Sequence, residues 1–195
     1  VGVPLLVTTG YCRAGGDTAG TDGRVDFTDI QNDIMFYGEL FGTEDHAKRS
    51  VANIQSRLAE IKNNLKPVTT ESTAAALFLS GDTLAAYGNQ SMSHTQFGLL
   101  GLRNVFAEVA DRHFEPTVEE IINRNPDFIE VLTYLEPGQP APILEDLKAF
   151  PGMTNVTAIK NGDVVFLPFD YSGQSPVAVE GLQRLADGFG LLKLK

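Results

Sequence analysis

Side chains that commonly carry chemistry are few and scattered in this chain. Its three histidines are His46, His94 and His113, and its one cysteine is Cys12. None of the histidines stands at the HxH or HExxH spacing that places two imidazoles on one metal. His46 falls in the first turn of an amphipathic pattern and reads as solvated. A single cysteine allows neither an intrachain disulfide nor a thiolate cluster. Cys12 reads as a plain thiol near a loop, and Tyr11-Cys12-Arg13 shows no partner for nucleophilic catalysis. The carboxylate pairs Glu44-Asp45 and Glu145-Asp146 are adjacent in sequence, so on helices they diverge. They suit helix ends or solvent better than an acid/base pair. No GxSxG elbow, Walker A loop or GxGxxG follows a strand. An enzyme has no visible site here.

One carboxylate does pose a question. In "TVEEIINRNPDFIEVL", residues 117–132, Thr117 to Glu120 has the spacing of a capping box. The threonine hydroxyl would accept from the backbone three residues on, and Glu120 would reach back. That employs Glu120 and leaves Glu119. A carboxylate in the first turn is favoured by the helix dipole and points outward, either as a surface residue alone or as one available to a partner.

The elements that must position these groups follow from periodicity. Val3–Thr8 reads as a short buried strand, and residues 13–24 as a Gly- and Asp-rich surface loop. Ile30, Ile34, Tyr37 and Phe41 share a helical face. Gly42 can end that helix, and Thr43 with Glu44 and Asp45 can start another. Val51, Ile54, Leu58, Ile61 and Leu65 recur at three- and four-residue steps, which predicts an amphipathic helix over 44–64. At ~1.5 Å per residue it is about 30 Å long. Residues 74–90 read as two strands around Ser80-Gly81-Asp82-Thr83. A short helix is predicted from Ser93 to Leu100, a connecting strand and loop over 102–117, and a helix from Thr117. A buried strand follows at Phe128–Leu132 and a helix at Leu144–Phe150. Asn161-Gly162 turns into another strand, and Val177–Phe189 closes the chain as an amphipathic helix. Strands alternating with helices indicate an α/β layer structure with a largely parallel sheet.

The whole-chain quantities agree with an ordinary globular protein. At 195 residues, with 43% apolar and 21% charged residues, the chain can bury a sizeable core. Its net charge is −10, from 25 acidic against 15 basic residues. With no basic run, this argues against nucleic acid as a partner. No apolar run approaches the roughly 20 residues needed to span a bilayer, and no charged-then-apolar signal opens the chain. The opening "VGVPLLVTTG" has no Met and enters an apolar run at once. It reads as a strand met in mid-domain, as in a piece cut from a longer protein whose export signal lay elsewhere.

The order of elements and six segments resemble the C-terminal lobe and linking helix of substrate-binding proteins for iron-siderophore, haem or cobalamin uptake by ABC transporters. "GVPLLV" resembles the family's Gly-Ile-Pro-Val strand, the last of its N-terminal lobe. "DIQNDIMFYGELFGTEDHAKRSVANIQSRLAEI" resembles the start of the spine helix. There Tyr37-Gly38, Gly42-Thr43-Glu44 and Ala47 take the places of the recurrent Leu-Gly, Gly-x-Glu and Ala. "GLLGLRNVFAEV" resembles the Gly-Gly-x-Asn-Val-Phe segment, with Leu102 in place of the second glycine. "TVEEIINRNPDFIEVL" resembles the Ser-x-Glu segment that runs into Pro-Asp-x-Ile, "AIKNGDVVFLPF" the Ala-Val-Lys-Asn-Gly segment, and "SPVAVEGLQRLADGF" the terminal helix.

The resemblance implies half of a two-lobed protein. Residues 1–26 would be the last strand of the first lobe and its loop, 27–65 the linking helical region, and 66–195 a three-layer α/β ligand-binding lobe. The ligand, a ferric siderophore, haem or a cobalamin-like chelate, would sit in the cleft between lobes without being chemically changed. No cofactor is implied. The partner would be the transporter's permease, and the place extracytoplasmic: the periplasm, or the cell surface as an anchored lipoprotein. The full protein would be a monomer, whereas this piece could self-associate.

Residue by residue, Glu119 matches the glutamate that docks into permease arginines. His113 stands where the cobalamin binder has a cleft aromatic, and is either a ligand contact or an exposed loop histidine. Tyr171 in "LPFDYSG" matches a second cleft aromatic. Gln90 and His94 in "YGNQSMSH" would lie at the cleft mouth and reach a ligand, or else cap the following helix. Tyr134 points the same way from the loop after the buried strand. A tyrosine suits a ferric chelate because it offers a flat apolar face and a phenol donor. The rival readings are a free zinc or manganese binder, which needs three or four His/Asp/Glu ligands, a nitrogenase-like or chelatase-like enzyme lobe, which needs a cysteine cluster or paired histidines, and an interaction module without ligand.

Overall fold

The computed structural model describes residues 23–69, 71–81, 83–134 and 140–193. The expected strand at Val3–Thr8, Cys12 and most of the 13–24 loop lie outside them.

The described chain begins with two helices. Helix α1 (Phe27–Leu40) is started by Asp26. Its Oδ1 accepts from the Thr28 and Asp29 amides at 2.7 and 3.1 Å, and the Asp29 carboxylate accepts from the Asp26 amide at 3.1 Å. That reciprocal arrangement is a capping box, and two orphan N-terminal amides are satisfied by it. Gly42, at φ +65°, turns the chain into α2 (Glu44–Asn64). The two helices pack closely where Gly38 meets Ala47: a Cβ at position 38 would stand 2.4 Å from the Ala47 Cβ. The helix predicted over 44–64 therefore has those bounds. Of its apolar stripe, Ile54 and Ile61 are buried, and Val51, Leu58 and Leu65 half-buried.

The sheet contains β1 (Thr73–Ser80), β2 (Thr83–Ala86), β3 (Arg103–Asn104), β4 (Phe128–Thr133) and β5 (Val164–Pro168). The order is β2-β1-β4-β5, with β3 also beside β1. All pairs are parallel except the β1–β2 hairpin, whose turn uses Gly81 at φ +59°. Along β1 the side chains alternate between two cores. Ala74 and Ala76 face α1, α2, α3 (Met92–Leu99) and α7 (Ala178–Gly188), through Ile30, Ile54, Ile61, Phe97, Leu182 and Leu185. Ala75 and Leu77 face α4 (Val118–Arg124), α5 (Pro140–Ala149) and α6 (Thr157–Asn161), through Ile121, Leu147 and Ala158. This is the period-two pattern of a strand buried on both sides. The result is the three-layer α/β lobe with a mostly parallel sheet that the sequence predicts, preceded by the long helix α2.

Two short motifs tie the layers together. Asp127, at the entry to β4, accepts through Oδ2 from the Thr73 amide and hydroxyl at 2.9 and 2.8 Å, which fixes the β1–β4 register. Asn125 ends α4 at φ 44° and accepts through Oδ1 from the Thr157 amide at 2.8 Å, which fastens α4 to α6. Asn is one of the few residues other than glycine that tolerates this conformation.

The capping box expected at Thr117 forms by half. The Thr117 hydroxyl accepts from the Glu120 amide at 3.2 Å. The Glu120 carboxylate does not reach back; it accepts from Arg124 Nη2 at 2.8 Å. Arg124 also pairs with Glu108 at 2.5 Å, donates to the Val105 carbonyl and lies over the Phe106 ring. A cation held on four sides outcompetes a single backbone amide for the carboxylate.

Candidate functional site

In an open α/β sheet, ligands bind in the crevice outside the carboxyl ends of the parallel strands. Here that edge is aromatic. Phe78 near the end of β1, Tyr134 just after β4 and Phe169 just after β5 form a cluster. Their ring centroids are 5.2 Å apart for Phe78–Tyr134, 4.9 Å for Phe78–Phe169 and 5.5 Å for Tyr134–Phe169. All three pairs are tilted or edge-on, the arrangements that ring quadrupoles favour. Phe78 and Phe169 are half-buried, and Tyr134 is 76% exposed. A partly wet aromatic cluster with a phenol at its rim follows from parallel strands that each carry a ring at or near their carboxyl end.

Tyr87 and His113 lie together on the β2 side of the sheet. Tyr87 is held by its backbone: its amide donates to the Ala76 carbonyl at 3.2 Å, and its carbonyl accepts from buried Asn104 Nδ2 at 2.9 Å. Gly88 lets the 109–113 loop come close, since a Cβ there would stand 2.4 Å from the Val109 carbonyl oxygen. That loop brings exposed His113 to 6.3 Å from the Tyr87 ring, centre to centre. Burial pushes the Tyr87 phenol up to about 12, so it remains a neutral donor and acceptor at physiological pH.

On the other side of the cluster, Tyr171 lies in the 3₁₀ turn Phe169–Ser172. Its ring is covered by the Arg184 guanidinium at 4.1 Å, and its hydroxyl accepts from Arg184 Nη2 at 3.0 Å. Arg184 also pairs with Glu180, which pairs in turn with Arg57 of α2 at 2.5 Å. Tyr171 thus borders a groove of about 530 Å³ between α2 and α7, lined also by Arg49, Ile54 and Val179. It stands beside the aromatic cluster with one face taken. Gln90 packs against the Gly23 backbone, and the backbone amide of His94 is capped by the Ser91 hydroxyl at 3.2 Å. Both flank the start of α3 rather than joining the rings.

Glu119 is exposed in the first turn of α4. Among the described residues no hydrogen bond or ion pair takes up its carboxylate. Also among the described residues, no group of three or more His, Cys, Asp or Glu side chains is placed to hold a metal, and no helix is long and apolar enough to cross a membrane.

Four residues escaped the sequence reading. Phe78 and Phe169 read only as core, because nothing local marks where a strand leaves the sheet. Tyr87 was one residue of a turn. Glu130 had a visible signal: it is a carboxylate inside the apolar run "FIEVL". It is fully buried on β4, accepts from the Ser172 hydroxyl, and is pushed up to about 7 by burial. Having no exposed surface, it cannot touch a substrate. The arrangement can stack, shield and hydrogen-bond a ligand.

A mostly parallel three-layer sheet with an aromatic carboxyl edge has the architecture of open α/β folds that receive ligands at that edge. The chain belongs to the periplasmic binding protein family, whose model matches residues 16–171. It is 29% identical over 164 residues to the ferric-anguibactin-binding protein FatB of Vibrio anguillarum, a match over 81% of this chain and 49% of that protein. A crystal structure titled as an ABC-type Fe3+-hydroxamate transport system of Saccharomonospora viridis is 32% identical, with a TM-score of 0.76 over 86% of this chain and 57% of that one. A periplasmic binding protein of Veillonella parvula shares the fold at 23% identity and a TM-score of 0.78, over 87% of this chain and 59% of that one. The chain therefore spans between about half and three-fifths of the length of these relatives.

Proposed function

We propose that the chain belongs to a solute-binding component of an ABC importer, which captures a ferric siderophore or related metal chelate and delivers it to the permease without transforming it. The observation that carries this reading is the Phe78–Tyr134–Phe169 cluster at the carboxyl edge of the sheet. A ferric chelate presents a largely apolar, often aromatic shell with a few polar oxygens. Rings that stack and a phenol that donates match that shell. Family membership and the siderophore- and hydroxamate-related names of two relatives support it. Tyr134 then belongs to the binding surface, and His113 to its β2-side rim. Tyr171, Gln90 and His94 flank it. Exposed Glu119 is the docking carboxylate, and the protein works outside the cytoplasmic membrane. Whether it is lipid-anchored is a further part of the proposal.

The free-metal rival has no support among the described residues, and Glu130, the one strongly shifted carboxylate among them, is sealed from solvent. The test is titration of the full two-lobed protein, followed by tyrosine fluorescence, against ferric hydroxamates, ferric catecholates, haem, cobalamin and free Zn2+ or Mn2+. Submicromolar quenching by a ferric siderophore, weakened at least tenfold by Tyr134→Ala, is expected. Tight binding of free metal with no response to any chelate overturns the reading.

A further inference from the structure

Beneath the aromatic edge lies a polar cluster that ligand binding does not explain. Glu130 projects from β4 into the core shared with α3 and α7. Its Oε1 accepts from the Ser172 hydroxyl, and the same hydroxyl lies 3.1 Å from Gln96 Oε1. Gln96 is itself fully buried and spends its amide N–H groups on the Tyr171 and Ala178 carbonyls, at 2.8 and 2.9 Å. A hydroxyl has one proton and here faces two acceptors. If Glu130 is ionised, Ser172 can satisfy the carboxylate or the amide oxygen, not both. If Glu130 is protonated, its O–H donates to Ser172, Ser172 donates to Gln96, and the chain closes.

Among the described residues no cation is close enough to offset a charge at this place. The causes of the raised Glu130 value are burial, opposed by the Ser172 and Ser93 hydroxyls, with no charged group among them. Neighbouring titratable groups are His94 on α3, Asp170 and Tyr171 in the 169–172 turn, and Tyr87 after β2. On α7, Arg184 is engaged with Tyr171 and Glu180. Among the described residues, Glu130 Oε2 and Ser93 Oγ are buried outside normal hydrogen-bond distance of any partner, so the Ser93 hydroxyl, although it favours the ionised form, does so only weakly.

We propose that Glu130 is a proton-operated latch: protonated, it closes the Glu130–Ser172–Gln96 chain and seats the 169–172 turn against α3, and ionised, it loosens that turn and the Phe169 ring it carries. The consequence for ligand rests on the proposed binding edge. The latch itself does not, and it is tested without ligand, so the two can fail separately.

The sign follows from linkage. With a folded value near 7 against 4.5 for an ordinary glutamate, the folded state retains a proton the unfolded state has lost. Stability is fully present below pH 4.5 and falls as pH rises through about 7. Between those values the contribution to the folding equilibrium constant drops about tenfold per pH unit. Glu130→Gln mimics the protonated form, because its amide can donate to Ser172 at every pH. Urea unfolding of both proteins from pH 4.5 to 8 should show this drop in the wild type and its loss in the variant. Amide exchange at residues 169–173, corrected for intrinsic rates, should show protection falling above pH 7 only in the wild type. Imidazoles titrate in the same range, so His94→Gln is the control. An unchanged slope in Glu130→Gln, or a slope removed by His94→Gln instead, overturns the latch. Should Glu130→Gln not fold, the wild type decides: an infrared band of a buried carboxylic acid at pH 6 that disappears by pH 8.5 upholds the latch, and its absence at pH 6 refutes it.

Discussion

Replacing Glu119 and Glu120 one at a time separates what two adjacent carboxylates do on α4. Glu119 is exposed. Glu119→Lys puts a positive charge at a helix N-terminus, and urea unfolding should register a loss of about 0.5 kcal/mol or somewhat more. Chelate affinity of the full protein should not change, whereas uptake in cells should fall, because like charge set against permease arginines opposes docking. Normal uptake by Glu119→Lys removes the docking role. Glu120→Ala acts elsewhere. Its carboxylate is half of a pair with Arg124, with side chains 38% and 27% exposed, and such a pair is worth roughly 0.5–1 kcal/mol after solvent screening. That amount should be lost on unfolding with uptake retained. Glu108 continues to pair with Arg124 in the variant, which keeps the loss small.

Among the elements, α3 is the one that fixes the site, and it does so through Gln96. This side chain holds two carbonyls, of Tyr171 and Ala178, and so fastens the turn after β5 and the start of α7 to one helix. Gln96→Leu would leave both without that donor, at about 1–3 kcal/mol for each that stays buried and unpaired. Thermal unfolding should show the loss, and faster amide exchange near 169–173 should show its place. Gly181 on α7 serves the same junction: a Cβ there would stand 2.0 Å from the Tyr171 carbonyl oxygen and 2.9 Å from Gln96 Nε2. Both atoms belong to the latch region, and neither is the free end of a mobile side chain. Gly181→Ala should therefore cost about 1–3 kcal/mol and weaken chelate binding in the full protein, despite alanine's better helix propensity. A variant as stable as the wild type would show that the 169–172 turn shifts at no cost.

At the scale of the molecule, the proposed function makes this chain one wall of a binding site. A ligand buried between two lobes loses much of its contact area when one is removed. The 195-residue chain should accordingly bind a ferric siderophore at least a hundredfold more weakly than the full protein, by the same fluorescence titration; equal affinity would place the whole site on this lobe. The end of α1 adds a second expectation. Phe36, Tyr37, Leu40 and Phe41 are 41%, 39%, 52% and 69% exposed, with Tyr37 and Phe41 stacked at 6.2 Å. An apolar patch of this kind promotes association. Sedimentation of the chain should show concentration-dependent self-association that Phe41→Asp reduces; a monomer up to 100 μM, an order-of-magnitude ceiling for a weak contact (~10⁻⁴ M), would contradict it.

Much of this architecture is written locally. The steps of three and four at Val51, Ile54, Leu58, Ile61 and Leu65 predict α2 with its observed bounds, because one face of a helix must be apolar to pack. Gly42 and Gly81 mark turns because only glycine takes their backbone conformation cheaply. The order of strands and helices implies a parallel sheet, since parallel strands need crossover helices. Glu119 was legible for the same reason: a first-turn carboxylate points outward whatever the helix packs against. Of the proposed binding edge only Tyr134 was legible, through the resemblance. Phe78, Tyr134 and Phe169 are separated by tens of residues and become neighbours only because β1, β4 and β5 lie side by side and end together. Tyr171 is in the expected turn, yet Arg184, thirteen residues on in the chain, decides which way its ring is used. Glu120 has the spacing of a capping box, but Arg124, fixed by Glu108, Val105 and Phe106, takes its carboxylate. Glu130 escaped notice although it is a charge in an apolar run, and spacing cannot say which hydroxyls reach a buried carboxyl. Local sequence sets backbone conformation, which neighbours along the chain control. The partners of a side chain are set by which elements pack together, and only the tertiary structure decides that.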